Sequence, residues 1–341
     1  RPIQFTLGAN FSKSTDVNTS YYSRSYMQNY YNYMYGVGNY NYNNYENYLD
    51  PDKYIQIWGF YAGWGKRLRW PDDYFQLSVQ LSYQRYILKN WRYFLIMSNG
   101  TANNLSLNIS LNRSSTDNQL YPRTGSEFSA SLSITPPWSK FDKKDYKNLA
   151  NDRFSATYQQ EQQEKYRWVE YHKWKFRART FTALSSGSKC FVLMTRVEFG
   201  LLGSYNRYKK SPFETFYMGG DGMSGYSSSY AQETIGLRGY DNGQLTQRGE
   251  GYAYDRMTLE LRYPFLLGNT TVYGLGFVEA GNAWTETSKF NPFDMKRSAG
   301  LGVRIYLPMV GMMGIDWAYG FDKVFGKKGG SQFHFVLGQE F

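Results

Sequence analysis

The chain has 341 residues, and 39 Lys+Arg against 28 Asp+Glu leave a formal net charge of +11. Mean hydropathy is −0.62 and no apolar run approaches the ~18 residues of a membrane-spanning helix, which excludes that class. Tyr, Phe and Trp nevertheless supply 19% of the residues, too many rings for a disordered chain.

Strand signals follow one another along the whole length. After candidates at 2–12 and 54–67 comes Phe75–Gln84, where Phe75, Leu77, Val79, Leu81 and Tyr83 share one face. Gln76, Ser78, Gln80, Ser82 and Gln84 share the other, which is the period of a strand. Residues 105–112 repeat the pattern with Leu105, Leu107, Ile109 and Leu111, and residues 127–135 with Phe128, Ala130, Leu132 and Ile134. Further strands are expected at 166–183, 190–202, 252–265, 271–284, 297–307, 312–321 and 332–341. The connections alternate between short ones (68–73, 121–126, 185–189, 267–270, 308–311) and long ones (14–53, 88–103, 137–165, 203–251, 285–296, 322–331).

Strands of about 9–11 residues, apolar on one face and neutral polar on the other, with short turns at one rim and long loops at the other, describe a transmembrane β-barrel. Aromatics such as Tyr54, Trp58, Trp64, Trp70, Tyr74, Trp138, Trp168, Trp174, Tyr263, Trp284 and Trp317 fall within or near strand ends, where amphipathic rings suit the headgroup zone. A soluble β-sandwich is the competing architecture, but it gives no reason for loop lengths to alternate. The Tyr/Asn-rich tract 21–45 reads either as an ordered surface lid or as a contact for sugars or a partner protein.

No catalytic constellation is visible, and no enzyme activity is expected. Cys190 is the sole cysteine, so neither an intrachain disulfide nor a cysteine metal cluster is possible. His172 and His334 are too few for a multi-histidine metal centre, and no Gly-x-Ser-x-Gly occurs. No cofactor or metal is therefore expected. Met218–Gly225 is glycine-rich but lacks the Gly-Lys-Ser/Thr of a phosphate loop, and reads as close-packed backbone. Lys173, Lys175, Arg177 and Arg179 share one strand face, a lumen-lining stripe rather than a nucleic-acid surface.

The loop 203–251 is too long for a passive connection. Within it, glycines flank the Leu237-Arg238 pair, so that Arg238 can be thrust forward to seek a carboxylate fork. Glu260 alternates with Leu259 and Leu261 and so faces the interior. Glu279 shares the parity of Phe277, which could stack on the guanidinium, and sends Val278, Gly276 and Gly274 to lipid.

These residues carry a resemblance. Leu237-Arg238-Gly239-Tyr240 resembles the Arg-Gly-aromatic signature of the large loop in the Omp85 superfamily, with Glu260, Phe277 and Glu279 at the positions of its acid and aromatic–acid pair. Tyr121–Ser126 is similar to the family's turn motif, and Phe333, Phe335, Gly338 and Phe341 resemble its carboxyl-terminal signal strand. The likeness, to assembly factors in a form typical of Bacteroidota, covers essentially the whole chain. It implies an all-β outer-membrane barrel of roughly sixteen strands behind periplasmic POTRA domains. Twelve strands and no POTRA-like segment are visible, so the chain is expected to be the carboxyl-terminal part of a barrel lacking about four strands, with both ends facing the periplasm. The implied function is insertion of nascent outer-membrane proteins at a weak seam between first and last strands, with accessory lipoproteins and lipid or lipopolysaccharide as partners and no nucleic acid. A secretion pore of the two-partner kind and a small complete porin stay open as alternatives. On this reading the Arg238 loop braces the lumen through a partly hydrated ion pair.

Overall fold

The structure, a computed structural model, describes residues 3–17, 49–91, 98–142, 144–152, 154–187, 189–222, 233–246 and 251–337. The whole Tyr/Asn tract 21–45, Gly338 and Phe341 lie outside them.

Twelve strands form one sheet whose hydrogen-bonded order follows the chain. They are β1 (Ile3–Val17), β2 (Leu49–Arg67), β3 (Phe75–Lys89), β4 (Gly100–Ser114), β5 (Gly125–Ile134), β6 (His172–Ala183) and β7 (Val192–Gly203). After the long loop come β10 (Ala253–Leu266), β11 (Thr271–Trp284), β12 (Lys296–Leu307), β13 (Gly311–Gly320) and β16 (Ser331–Leu337). The intervening labels belong to two small pairs, the parallel β8 (Phe216–Met218) with β9 (Glu233–Ile235), and the antiparallel β14 (Lys323–Val324) with β15 (Lys327–Lys328). Every pairing in the large sheet is antiparallel. All twelve expected strands are present, and the short and long connections alternate as read from the sequence.

Period-two patterning sorts the two faces. Phe5, Leu7, Phe60, Leu81, Leu259, Val278, Leu301, Ile315, Phe333 and Phe335 all lie exposed on the outer face. An apolar outer band is stable only against hydrocarbon. Among the described residues no helix is long and apolar enough to cross a membrane, which says nothing against strands that do.

Several boundaries move, for one reason. The strand expected at 75–84 runs on to Lys89 because its inner face turns apolar near the long-loop rim. There Tyr86 and Leu88 are buried with Ile55, and Phe213 of the long loop stacks on Tyr86 at 4.2 Å. Conversely, 166–171 is not strand: α2 (Tyr158–Tyr166) ends there, after a four-residue α1 (Trp138–Phe141), and β6 begins at His172. These two helices fill the loop between β5 and β6. Glu170, buried between α2 and β6, accepts hydrogen bonds from the Ser139 backbone N–H and hydroxyl, both at 2.7 Å.

Among the described residues two apolar clusters lie inside. One gathers Tyr86, Trp91, Tyr171, Phe213, Phe216, Met218, Leu237 and Tyr254, joining wall to loop. The other gathers Tyr121, Phe181, Met194, Tyr273, Leu275 and Phe277. Tyr121 brings the turn before β5 across to the wall, its hydroxyl 3.2 Å from the carbonyls of both Cys190 and Arg262. The aromatic belt is thinner than expected: Trp284 turns inward at 9% exposure against Phe290, and Trp138 packs on Trp168 within the connection between β5 and β6.

Candidate functional site

The long loop enters the lumen by backbone pairing with itself. The amides of Gly219 and Gly220 donate to Ile235 and Leu237, at 2.9 and 3.1 Å, so the glycine-rich tract lies against the strand leading to Arg238. Lys173 reaches Glu214 and Glu233 at 3.3 and 2.9 Å, and Lys175 reaches Glu233 at 2.7 Å. Part of the basic stripe on β6 thus lines the lumen and holds the loop. Beyond Arg238 the chain must reverse within one residue. Gly239 does so at φ +87°, where a Cβ would sit 2.8 Å from the Gly320 nitrogen, so geometry and space both require glycine.

Arg238 is wholly buried. Its Nη2 donates to Glu260 at 2.8 Å and to Glu279 at 2.7 Å, and its Nη1 donates to Asp316 at 3.0 Å. Its backbone N–H also donates to Glu279, at 3.0 Å. The guanidinium carbon lies 3.4 Å from the centre of the Phe277 ring, a stacked cation–π contact. Burial alone would lower the pKa of Arg238; the three surrounding carboxylates, Glu279 foremost, raise it above its ordinary value instead. The site therefore holds a permanent cation.

The sequence reading placed Arg238 with Glu260, Glu279 and Phe277, and the structure brings those four together. It corrects the setting, however. The clasp is dry, not partly hydrated, because Arg238, Glu260, Glu279 and Asp316 are all 4% exposed or less along their side chains. Asp316 was missed, although its parity in β13, between outward Ile315 and Trp317, was readable. A further layer was missed as well. Arg256 donates to Glu279 at 2.7 Å, Arg262 to Glu260 at 2.8 and 2.9 Å, and Arg304 to Asp316 at 2.6 and 2.7 Å. Each acid is shared between Arg238 and one arginine of the wall.

Downstream of the arginine, Gly239 donates its N–H to Nε2 of His334 at 2.9 Å, and the Tyr240 hydroxyl donates to the Arg297 carbonyl at 2.7 Å. Asp241 pairs with Lys327 and accepts from Gln332 at 2.8 Å. Leu237 is buried in the wall–loop cluster. In β16, Phe333, Phe335 and Leu337 point outward while Gln332, His334 and Val336 point inward. The terminal strand therefore presents an apolar outer face to lipid and a polar inner face to the loop tip.

The described residues contain no group of three or more His, Cys, Asp or Glu side chains that could hold a metal.

Comparison with known proteins follows from this geometry. No curated protein sequence matches the chain. Among solved structures it is similar to BamA from Haemophilus ducreyi lacking POTRA domains 1–3, at 17% identity with a TM-score of 0.57. That alignment covers 83% of this chain and 54% of the other, so the chain spans about half the length of that structure, and at this identity the likeness concerns the fold. The family model described as the Omp85 superfamily domain matches residues 2–341, and the chain belongs to that superfamily.

Proposed function

We propose that the protein is the barrel of an outer-membrane assembly factor, which folds and inserts nascent outer-membrane proteins without a chemical step. The observation that carries this reading is the terminal strand: β16 ends the hydrogen-bonded order of the sheet while its inner face is tied to a lumen-filling loop. A strand at the end of a sheet offers backbone to an incoming strand, which is β-augmentation. The loop bound across the inner face by Arg238 argues for a braced wall and against a wide water-filled pore. In this reading the protein lies in the bacterial outer membrane with both chain ends facing the periplasm. Accessory lipoproteins, outer-membrane subunits and lipid or lipopolysaccharide are its partners, and nucleic acid is not.

The test is reconstitution of the protein from its full gene into vesicles, followed by the folding rate of unfolded client barrels. Acceleration over bare vesicles, together with low and erratic conductance, supports assembly. Steady conductance with no acceleration would identify a porin, and export of a single secreted client would identify a secretion pore.

A further inference from the structure

The short-turn rim is not uniform along the sheet. From β2 to β7 its turns carry charge: Arg69, Asp72 and Asp73 after β2, Asp117 and Arg123 after β4, and Lys189 after β6. From β10 to β13 they carry none. No charged residue stands between Arg262 and Glu279, or between Arg304 and Asp316. The register sets Thr271 opposite Tyr306, so the β10–β11 and β12–β13 turns lie side by side as one patch.

That patch is apolar and open. Met309 is 99% exposed and Val310 61%, with Phe265, Leu266 and Leu267 exposed beside them. Consecutive exposed apolar residues of this kind are unfavourable in water and mark a contact surface. The wall above says what covers them. Leu259, Leu261 and Phe265 on β10, and Leu301, Val303 and Ile305 on β12, are outward columns that run into the turns with no charged residue on that face. The rings of Phe191, Tyr263 and Phe265 gather where the strands end, with neighbouring centroids 4.7 and 5.8 Å apart. Elsewhere the outward columns meet a charge before the turn, at Lys66 below Trp64 on β2 and at Arg113 below Leu111 on β4. Two turn carbonyls are also satisfied from within. The Val310 N–H donates to Leu307 at 3.1 Å and the Thr271 hydroxyl to Gly268 at 3.2 Å, which eases entry into lipid.

We propose that the β10–β11 and β12–β13 turns are immersed in the lipid leaflet at the short-turn rim, at the boundary of headgroups and acyl chains, while the turns from β2 to β7 stand in water. The occupant of the patch is phospholipid. A protein partner calls for a polar rim with hydrogen-bonding groups around an apolar centre. Here the apolar surface runs on unbroken from the face that the bilayer covers, as an interfacial anchor does. Immersion rests on the reading of the wall as membrane-spanning, and it adds that the two parts of the rim sit at unequal depth. The strands anchored in this way supply Glu260, Glu279 and Asp316 to Arg238.

Site-directed labelling of the protein from its full gene, reconstituted into phosphatidylcholine vesicles, tests the assignment. Met309→Cys and Leu267→Cys each carry a polarity-sensitive fluorophore. Val303→Cys on the wall and Ser186→Cys in the β6–β7 turn are the references, and the unsubstituted protein, whose Cys190 is buried, gives the labelling background. Quenching is read from nitroxide-bearing acyl chains and from aqueous iodide. The labels at 309 and 267 should be quenched by the nitroxide lipid about threefold more than the label at 186, and by iodide about threefold less, approaching the label at 303. Met309 projects freely from its turn, so its variant reports even if Leu267→Cys does not fold. Quenching at 309 and 267 that matches 186 overturns the proposal. So does shielding from both quenchers, which identifies a protein contact. A label at 303 that the nitroxide lipid does not reach overturns the membrane reading of the wall, and immersion of the turns falls with it.

Discussion

Replacing Arg238 by alanine removes three buried side-chain hydrogen bonds, to Glu260, Glu279 and Asp316 at 2.8, 2.7 and 3.0 Å. Removing one partner of a buried ion pair costs ~3–5 kcal/mol when the other charge is left alone. Here it is not left alone. Glu260 keeps Arg262, Glu279 keeps Arg256 and Thr258, and Asp316 keeps both bonds from Arg304. The cost therefore falls at the low end, ~3 kcal/mol, and on the attachment of the loop more than on the wall. At ~1.4 kcal/mol per factor of ten, loop opening should become about 100-fold more frequent. Hydrogen exchange read at residues 233–246 should quicken by that order, while exchange in β10 and β11 stays within a few-fold of wild type. Arg238→Lys should behave like the alanine variant, because one ammonium cannot bridge three carboxylates while lying flat on Phe277. Unchanged loop exchange in Arg238→Ala, or wild-type behaviour of Arg238→Lys, would refute the fork argument.

Three other perturbations probe the same frame. His334→Ala leaves the Gly239 N–H without its acceptor, and the buried donor should cost ~1–3 kcal/mol, seen as a lower midpoint in heat-dependent gel mobility. Gly302→Val should destabilise by ~1–3 kcal/mol, because a Cβ there meets Asp316 Oδ1 at 1.8 Å and pushes that acid off Arg304 and Arg238; an unchanged midpoint contradicts this. The third concerns pH. Burial would raise the pKa of Glu233, but Lys173 and Lys175 hold it below its ordinary 4.5. A depressed folded value means that the contribution is complete above 4.5 and is lost as pH falls through the folded value. Protease resistance of the loop should therefore decline on acidification below that point, and Glu233→Gln should flatten the decline.

How far the sequence disclosed this architecture depended on what each residue answers to. Where a strand faces lipid on one side and water on the other, as in Phe75–Gln84, alternation is set locally and the strand could be read directly. Where the loops roof the lumen, the inner face must be apolar, and Tyr86, Leu88 and Ile55 obey packing against Phe213 instead of the period-two rule. The expected end of β3 therefore came early. The clasp was legible in part for a similar reason. Glu260, Glu279 and Phe277 follow the loop closely in the chain and share a parity, whereas Asp316 and His334 become neighbours of Arg238 only once β13 and β16 take their places in the sheet. The expectation of a hydrated pair failed because exposure is a property of the assembled lumen. Three wall arginines had to be present to make a dry acid triad tolerable, and each lies on a strand that Arg238 does not belong to.

The loop tip touches β10 through Glu260, β11 through Glu279 and Phe277, β12 through the Arg297 carbonyl, β13 through Asp316 and β16 through His334 and Gln332. It thus straps five consecutive strands from within. The strap matters most to the last of them. β10 spans 14 residues and pairs with both β7 and β11, while β16 spans 7 residues and registers with β13 from Ser331 to Leu337. Contacts from the loop are therefore a large share of what holds β16, and coupling of this kind is reciprocal: loosening the strand must loosen the loop to the same degree. A double-mutant cycle of Arg238→Ala with His334→Ala measures it. The two residues lie on adjoining parts of one network, so their destabilisations should fall short of additivity by ~0.5–3 kcal/mol. Additive effects would mean that the arginine holds the wall and the histidine holds the strand independently, and the strap would then be two unrelated contacts.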